Sequence, residues 1–392
     1  MTILACACAG TPPHKAPALS TPHTGWLRPS CRTPDKEKLW QSLIQERIAE
    51  IVKEFIMNRA EYILATANQA LNDYGIRAFS LSDEVGNILY DRYQTIKFAC
   101  DTESGRHLLS IHVLNEGAHL AEESPFFASQ LLWLEALDRD SSLCVQVPVR
   151  NDRNELITVA PGKPDLLLTL THWVPGELLE GEDESPLTLK QAHDMGALLA
   201  RLHRHSEGWA PPPEFTRPDH SVGQVDAIVA RLELARADNR ISANDFTVIQ
   251  SVAERVESVL SACGRRRGKW GLLHGDFTAG NCVIHEGRLS PIDFDWCCVG
   301  NYLGDVARCL LMHEAEPQVS HSFLEGYKSI RDLEDDWIGL LEALTLATVL
   351  WVWSDSVNRR TAFPELSSFV EREFEKYLCE ERFIFDEERT WL

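Results

Sequence analysis

The chain has 392 residues, with 38 Lys+Arg against 59 Asp+Glu, a formal net charge of −21 and an apolar fraction of 44%. These are globular proportions, and the length suits two domains or one bilobal domain with a sizeable core. So acidic a balance argues against a surface built to hold phosphate backbones or anionic lipid, which needs clustered Lys and Arg, so neither nucleic acid nor membrane is an expected partner; local basic patches and a short anionic ligand such as a nucleotide are not excluded.

Residues 1–34 contain no Asp or Glu and are rich in proline, and are expected to form a disordered tail. From Asp35 to Gly75 apolar residues recur at three- and four-residue steps with a glycine stop, which predicts a helical extension over residues 35–75. Short β-prone runs follow at Ala78–Val85, Tyr93–Cys100 and His107–Val113, then a helix over FFASQLLWLEALDRD, then strands at Val145–Val149, Leu156–Val159 and Leu166–Leu170. Residues 76–173 therefore read as a small β-rich lobe. Past Trp173-Val174-Pro175-Gly176 the chain turns helical: Leu187–Ser206, then Val222–Leu260 with a break near Asp238-Asn239. Strands and turns return between Leu272 and Asp295, and helices fill the remainder, so residues 174–392 read as a larger helical lobe with one hairpin. The apolar run Trp337–Trp353 contains Glu342 and is short for a membrane span, which predicts a buried core helix. Eleven irregularly spaced cysteines without a CxxC pair argue for a reducing, cytoplasmic setting, and the Cys297-Cys298 pair reads as small buried residues.

The segment LLHGDFTAGNCVIHEGRLSPIDFD, Leu272–Asp295, carries the chemistry. Asp276 is followed five residues later by Asn281, then by two alternating strands turning at Gly287, then by Asp293. The hairpin returns Asp293 to the loop bearing Asp276 and Asn281. Phosphoryl transfer needs such a set: one carboxylate to orient the acceptor hydroxyl and take its proton, and hard oxygen ligands for Mg²⁺ on the ATP phosphates. The spacing H-x-D-x-x-x-x-N followed by D-F-x is that of protein-kinase-like catalytic and metal loops. It makes Asp276 the candidate base and Asn281 and Asp293 the candidate metal ligands, with His274 as a brace. No P-loop, GxSxG or HExxH motif competes with it.

Residues 70 to 320 resemble the aminoglycoside phosphotransferase and choline kinase-like superfamily, nearest its homoserine kinase-like and stress-response kinase-like branch. HGDFTAGN and SPIDFDWCCVGNYLGDVAR carry the resemblance, with LLARLHRH, THWVPGELL and QLLWLEAL. The resemblance implies an α+β, bilobal protein-kinase-like fold with ATP in the cleft. Thr171 and Trp173, at the passage between lobes, would lie along the nucleotide, and Asp295 and Asp305 would support the catalytic segment. Three departures stand out. The third strand has Ser110 where a phosphate-binding cation is usual, the following helix has Gln130 in place of its partner acid, and the second strand has Gln94 in place of Asn. Ser110 and Gln130 are expected to hydrogen-bond to each other. Lys97 is retained as a substitute cation, although its simplest reading is a solvent-facing strand lysine; Arg92 and His112 are further candidates.

The expected function is an ATP- and Mg²⁺-dependent kinase of a hydroxyl-bearing metabolite. An amine-bearing acceptor is favoured, because family members acting on aminoglycosides or choline use carboxylate-lined pockets. The alternatives are a degenerate kinase fold that binds nucleotide or protein, and a protein Ser/Thr kinase. The acceptor, ATP-versus-GTP preference and oligomeric state are left open.

Overall fold

A computed structural model describes residues 61–381, apart from 90–91, 161, 163, 181–185, 220–223, 267, 313–316, 334–336 and 360–365. The tail expected over 1–34 and most of the expected helical extension lie outside the described residues. The chain divides into two compact units, Met1–Gln69 and Ala70–Leu392. Residues 61–73 are helical (α1) and Gly75 follows with φ 71°, a left-handed stop suited to glycine. All further elements belong to the second unit.

β1 (Phe79–Leu89), β2 (Tyr93–Thr102) and β3 (Gly105–Leu114) form an antiparallel meander. It is extended by β6 (Leu166–His172) and β4 (Pro148–Val149), with β5 (Thr158–Ala160) also paired to β6. The register sets Lys97 of β2 directly opposite Ser110 of β3 and Gly86 of β1. α2 (Leu120–Asp140) packs Phe127, Leu131, Trp133, Leu134 and Leu137 into the core. The sequence reading starts this helix at Phe126, after Pro125. The helix instead runs through Pro125 and opens with Glu122 and Glu123, whose charges suit its positive N-terminal end.

The rest is mainly helical. α3 (Leu189–Gly208) starts at a capping box of Thr188 and Gln191; α4 (Gln224–Ala237) and α5 (Ala243–Cys263) are separated by the expected break, and Ser242 caps α5. β7 (Glu177–Leu178), β9 (Cys282–His285) and β10 (Arg288–Pro291) form one small sheet, and β8 (Trp270–Leu273) pairs with β11 (Cys298–Asn301). In the β9–β10 hairpin Glu286 and Gly287 both take positive φ, 49° and 74°, as a tight two-residue turn requires. α6 (Leu303–Met312), α7 (Pro317–Lys328) and α8 (Trp337–Arg359) follow, and α9 (Leu366–Phe369) passes through a π-helical turn into α10 (Glu375–Leu378).

α8 packs against α4, α5 and α6. It is the one helix among the described residues long and apolar enough to cross a membrane, and half of its apolar window is buried inside the protein. The architecture is thus α+β: antiparallel sheets with a large helical complement. A continuous apolar core runs from α2 through Phe277 and Phe294 to α8. Both loops of the Leu272–Asp295 segment are anchored in it.

Candidate active site

Residues 274–281 connect β8 to β9 and carry Asp276 and Asn281. Gly275 has φ 80°, and a Cβ there would lie 2.1 Å from the Trp296 carbonyl oxygen, so only glycine lets this loop close on the segment after β10. Asp305, in the first turn of α6, accepts the backbone N–H groups of His274 at 2.7 Å and Gly275 at 2.8 Å. It also contacts His203 Nε2 at 3.1 Å, and His203 Nδ1 lies 2.9 Å from the Tyr327 hydroxyl. Burial raises the Asp305 carboxyl, but the His203 contact and the backbone donors outweigh it and hold the group below its ordinary value. Burial lowers His203, which is then neutral, donating from Nε2 and accepting at Nδ1.

His274 packs on Phe294, ring centroids 4.5 Å apart, and reaches the Ile292 carbonyl with Nε2 at 3.0 Å. Its Nδ1 accepts the Asp276 N–H at 3.3 Å. It therefore links the two loops by hydrogen bonds.

Asn281 donates its side-chain amide to the Asp276 carbonyl at 2.8 Å and to Asp276 Oδ2 at 3.1 Å, and neither bond uses its own Oδ1. The backbone carbonyl of Asn281 accepts the Ile292 N–H at 2.9 Å, so the hairpin does bring Asp293 back beside the Asn281 loop. Asp293 is held at φ 63°, ψ 65°, a left-handed conformation that Asp tolerates better than most residues, and Gln146 Oε1 accepts its N–H at 2.8 Å.

Lys97 is not a solvent-facing strand lysine. Its side chain crosses from β2 to the metal loop and pairs with Asp293 Oδ1 at 2.9 Å and Asp295 Oδ2 at 2.8 Å, with the residue 8% exposed. Burial opposes its charge, but the two carboxylates outweigh burial and hold the ammonium above its ordinary pKa. Burial and the neighbouring Asp295 raise Asp293, whereas Asp295, also buried, is held below the carboxylate range by Lys97 and by Gln130.

The expected Ser110–Gln130 hydrogen bond is absent among the described residues: Gln130 donates to Asp295 Oδ1 at 3.0 Å. Ser110 and Thr171 line the same small cavity of about 20 Å³ as Lys97, Gln130, Asp293 and Asp295, and the buried Thr171 hydroxyl has no partner there. The other two substitute cations are otherwise engaged. Arg92 pairs with Glu122 and Glu123, each at 2.6 Å. His112 stacks on Phe127 and contacts Thr95, and burial lowers it to about 3, so it is neutral. Trp173, past the end of β6, donates its N–H to the Arg106 carbonyl, and the Arg106 guanidinium lies 4.5 Å from its ring.

Sequence reasoning missed three side chains. Arg308 of α6 directs Nε and one terminal nitrogen at Asp276 Oδ1, at 2.9 and 2.7 Å. Its position three residues after Asp305 on a helix was a usable signal, because i and i+3 share a face. Arg217 binds the Cys297 carbonyl at 2.7 Å and the Asp295 carbonyl, clamping the metal loop. Gln146 holds Asp293. Neither of these two has a local signature, because each acts across a long sequence separation.

The phosphotransferase enzyme family matches residues 97–337, more than half of the chain and all of this site beyond β1. The chain belongs to that family. Within it, the chain is 26% identical over 243 residues to a homoserine kinase of Neisseria meningitidis serogroup B, covering 59% of this chain and 69% of that protein. It is 27% identical over 183 residues to a probable ketoamine kinase of Escherichia coli K12, covering 42% of this chain and 58% of the relative. A solved microcompartment-associated aminopropanol kinase shares the fold at a TM-score of 0.63 and 22% identity, covering 81% of this chain and 98% of that one. Amicoumacin kinase hAmiN, solved with AMP-PNP, Ca²⁺ and Ami, does so at 0.59 and 17%, covering 78% and 90%. The fold is therefore the kinase-like fold expected, and this family member is a small-molecule kinase.

Proposed function

We propose that the protein transfers the γ-phosphate of ATP, with Mg²⁺, to the hydroxyl of a small amine-bearing metabolite. The observation that carries this reading is the convergence of Asp276, Asn281 and Asp293 on two loops fixed to one core. Asp276 would receive the acceptor's proton at a carboxylate oxygen, while the braced loop holds that oxygen in place.

The donor set fits a hard divalent cation: the Asp293 carboxylate, 28% exposed, and the Asn281 amide oxygen. With two protein ligands, such an ion would be shared with the nucleotide's phosphates. Bound there, Mg²⁺ would neutralise charge on the phosphates. Lys97, paired to both aspartates from β2, is proposed as the cation that the third strand lacks; it also removes the motive for a degenerate, purely binding module. Thr171 and Trp173 are proposed to border the nucleotide, and His274, Gln130, Asp295 and Asp305 to support the loops.

The amine is favoured by relatives named for homoserine and ketoamine substrates. It is favoured also by Glu257, which lines the cavity beside the catalytic loop and has no partner among the described residues. ADP release tests the proposal. Asp276→Asn should lose at least about a hundredfold in acceptor-dependent turnover while keeping Mg²⁺-nucleotide stabilisation. Undiminished turnover would contradict the role of Asp276.

A further inference from the structure

Beside the catalytic loop lies a cavity of about 160 Å³, walled by Trp270, Trp296 and Trp351 and bordered by Gly275, Glu257 and Arg308. Across Trp296 and Trp351 it adjoins a second cavity of about 350 Å³, which Arg217 and Arg231 line. Three arginines thus gather round the acceptor side of a protein whose net charge is −21. Arg217 is committed to backbone carbonyls. Arg308 is not committed to the framework: both of its bonds go to Asp276 Oδ1, and its guanidinium lies 5.5 Å from the Trp351 ring.

That arrangement places a constraint on the acceptor. Asp276 Oδ2 already receives the Asn281 amide, and Oδ1 receives two guanidinium N–H groups. An acceptor hydroxyl that is to reach Asp276 Oδ1 must displace Arg308 or share it, while Oδ2 keeps one acceptor site beside the Asn281 amide. An amino alcohol, itself cationic through its ammonium, offers the guanidinium no anion in exchange, and one that displaced it would leave a partly buried cation, 19% exposed, without its partner. A carboxylate on the acceptor offers two oxygens in the geometry that a guanidinium fork matches. The tryptophan walls would then pack against the body of the acceptor.

We infer that the acceptor carries a carboxylate as well as its hydroxyl, and that Arg308 exchanges Asp276 for that carboxylate when the acceptor binds. Arg308 is thereby a specificity-determining residue that also uncovers the base. This deepens the kinase reading above and rests on it.

The test is ADP release by the full-length protein with MgATP and paired acceptors that differ only in the carboxylate. L-Homoserine with 3-aminopropan-1-ol forms one pair; 4-hydroxybutyrate with propan-1-ol, and L-serine with ethanolamine, form two others. At least one acid should exceed its carboxylate-free partner by roughly ten- to a hundredfold in kcat/KM. Arg308→Met should abolish that preference, mainly through KM, and Arg308→Lys should restore part of it. Mg²⁺-nucleotide stabilisation, measured on each variant, reports that the fold and the nucleotide site survive. Equal or better turnover of the carboxylate-free partners would overturn the inference. So would an acid preference that survives Arg308→Met, or turnover with neither class while nucleotide stabilisation is intact. Loss of nucleotide stabilisation in the unaltered protein would instead overturn the kinase reading itself.

Discussion

Lys97 decides more of the site's electrostatics than any other side chain. Asp293 and Asp295 stand two residues apart in a buried loop, and both direct an oxygen at the same ammonium. Without it, two carboxylates would face each other in low dielectric. Lys97→Met should therefore destabilise the protein by about 3–5 kcal/mol and sharply weaken nucleotide binding. Because Lys97 and Ser110 are direct partners across β2 and β3, a lysine at 110 starts from the neighbouring strand on the same face. Lys97→Met combined with Ser110→Lys should recover part of both losses, read by denaturant unfolding and nucleotide titration. A double variant no better than Lys97→Met would show that the cation must come from β2. Asp276, Asn281 and Asp293 were legible because their offsets along one short segment are set by a loop and a two-residue hairpin. Lys97 was not, because strand alternation says which residues share a face but not which face meets the other lobe.

At the scale of elements, the catalytic loop depends on how closely α3 and α7 approach. Gly196 of α3 and Gly326 of α7 let the two backbones touch: a Cβ at 196 would lie 1.9 Å from the Phe323 carbonyl oxygen, and one at 326 would lie 1.9 Å from that of His193. The same pair of helices carries His203 and Tyr327, which hold Asp305 under the loop. Gly196→Ala raises helix propensity, yet it should destabilise by about 1–3 kcal/mol through overpacking. Denaturant unfolding of the variant checks this, and unchanged or increased stability would contradict the close approach. Helix periodicity identified α3, and the break between α4 and α5 was legible from Asp238-Asn239. The glycine contact was not, because it depends on which helix lies opposite. The start of α2 was misplaced for a different reason: proline opposes helix locally, and packing of the Phe127–Leu137 face outweighs that penalty.

Over the whole molecule, an acidic net charge coexists with a few cations gathered beside the carboxylates of the site. The charge of −21 suits solubility, while Lys97, Arg217, Arg231 and Arg308 line the cavities between the sheet and the helices. Global charge thus says little about a short anionic ligand. Fold and family could be read from one segment because that segment both builds the core and carries the polar groups. The pocket geometry of the proposed acceptor side could not, because its lining comes from α4, α5, α6 and α8, far apart in sequence.

The measurement that tests the central claim most directly is thermal unfolding of the full chain with ATP or GTP, with and without Mg²⁺, beside Asp293→Asn. At a hundred times its dissociation constant, a nucleotide should stabilise the native state by about 2.7 kcal/mol. The account predicts that ATP stabilises the protein, that the effect requires Mg²⁺, and that Asp293→Asn removes it. Absence of stabilisation by either nucleotide at millimolar concentration with Mg²⁺, or an equal shift in Asp293→Asn, would contradict it.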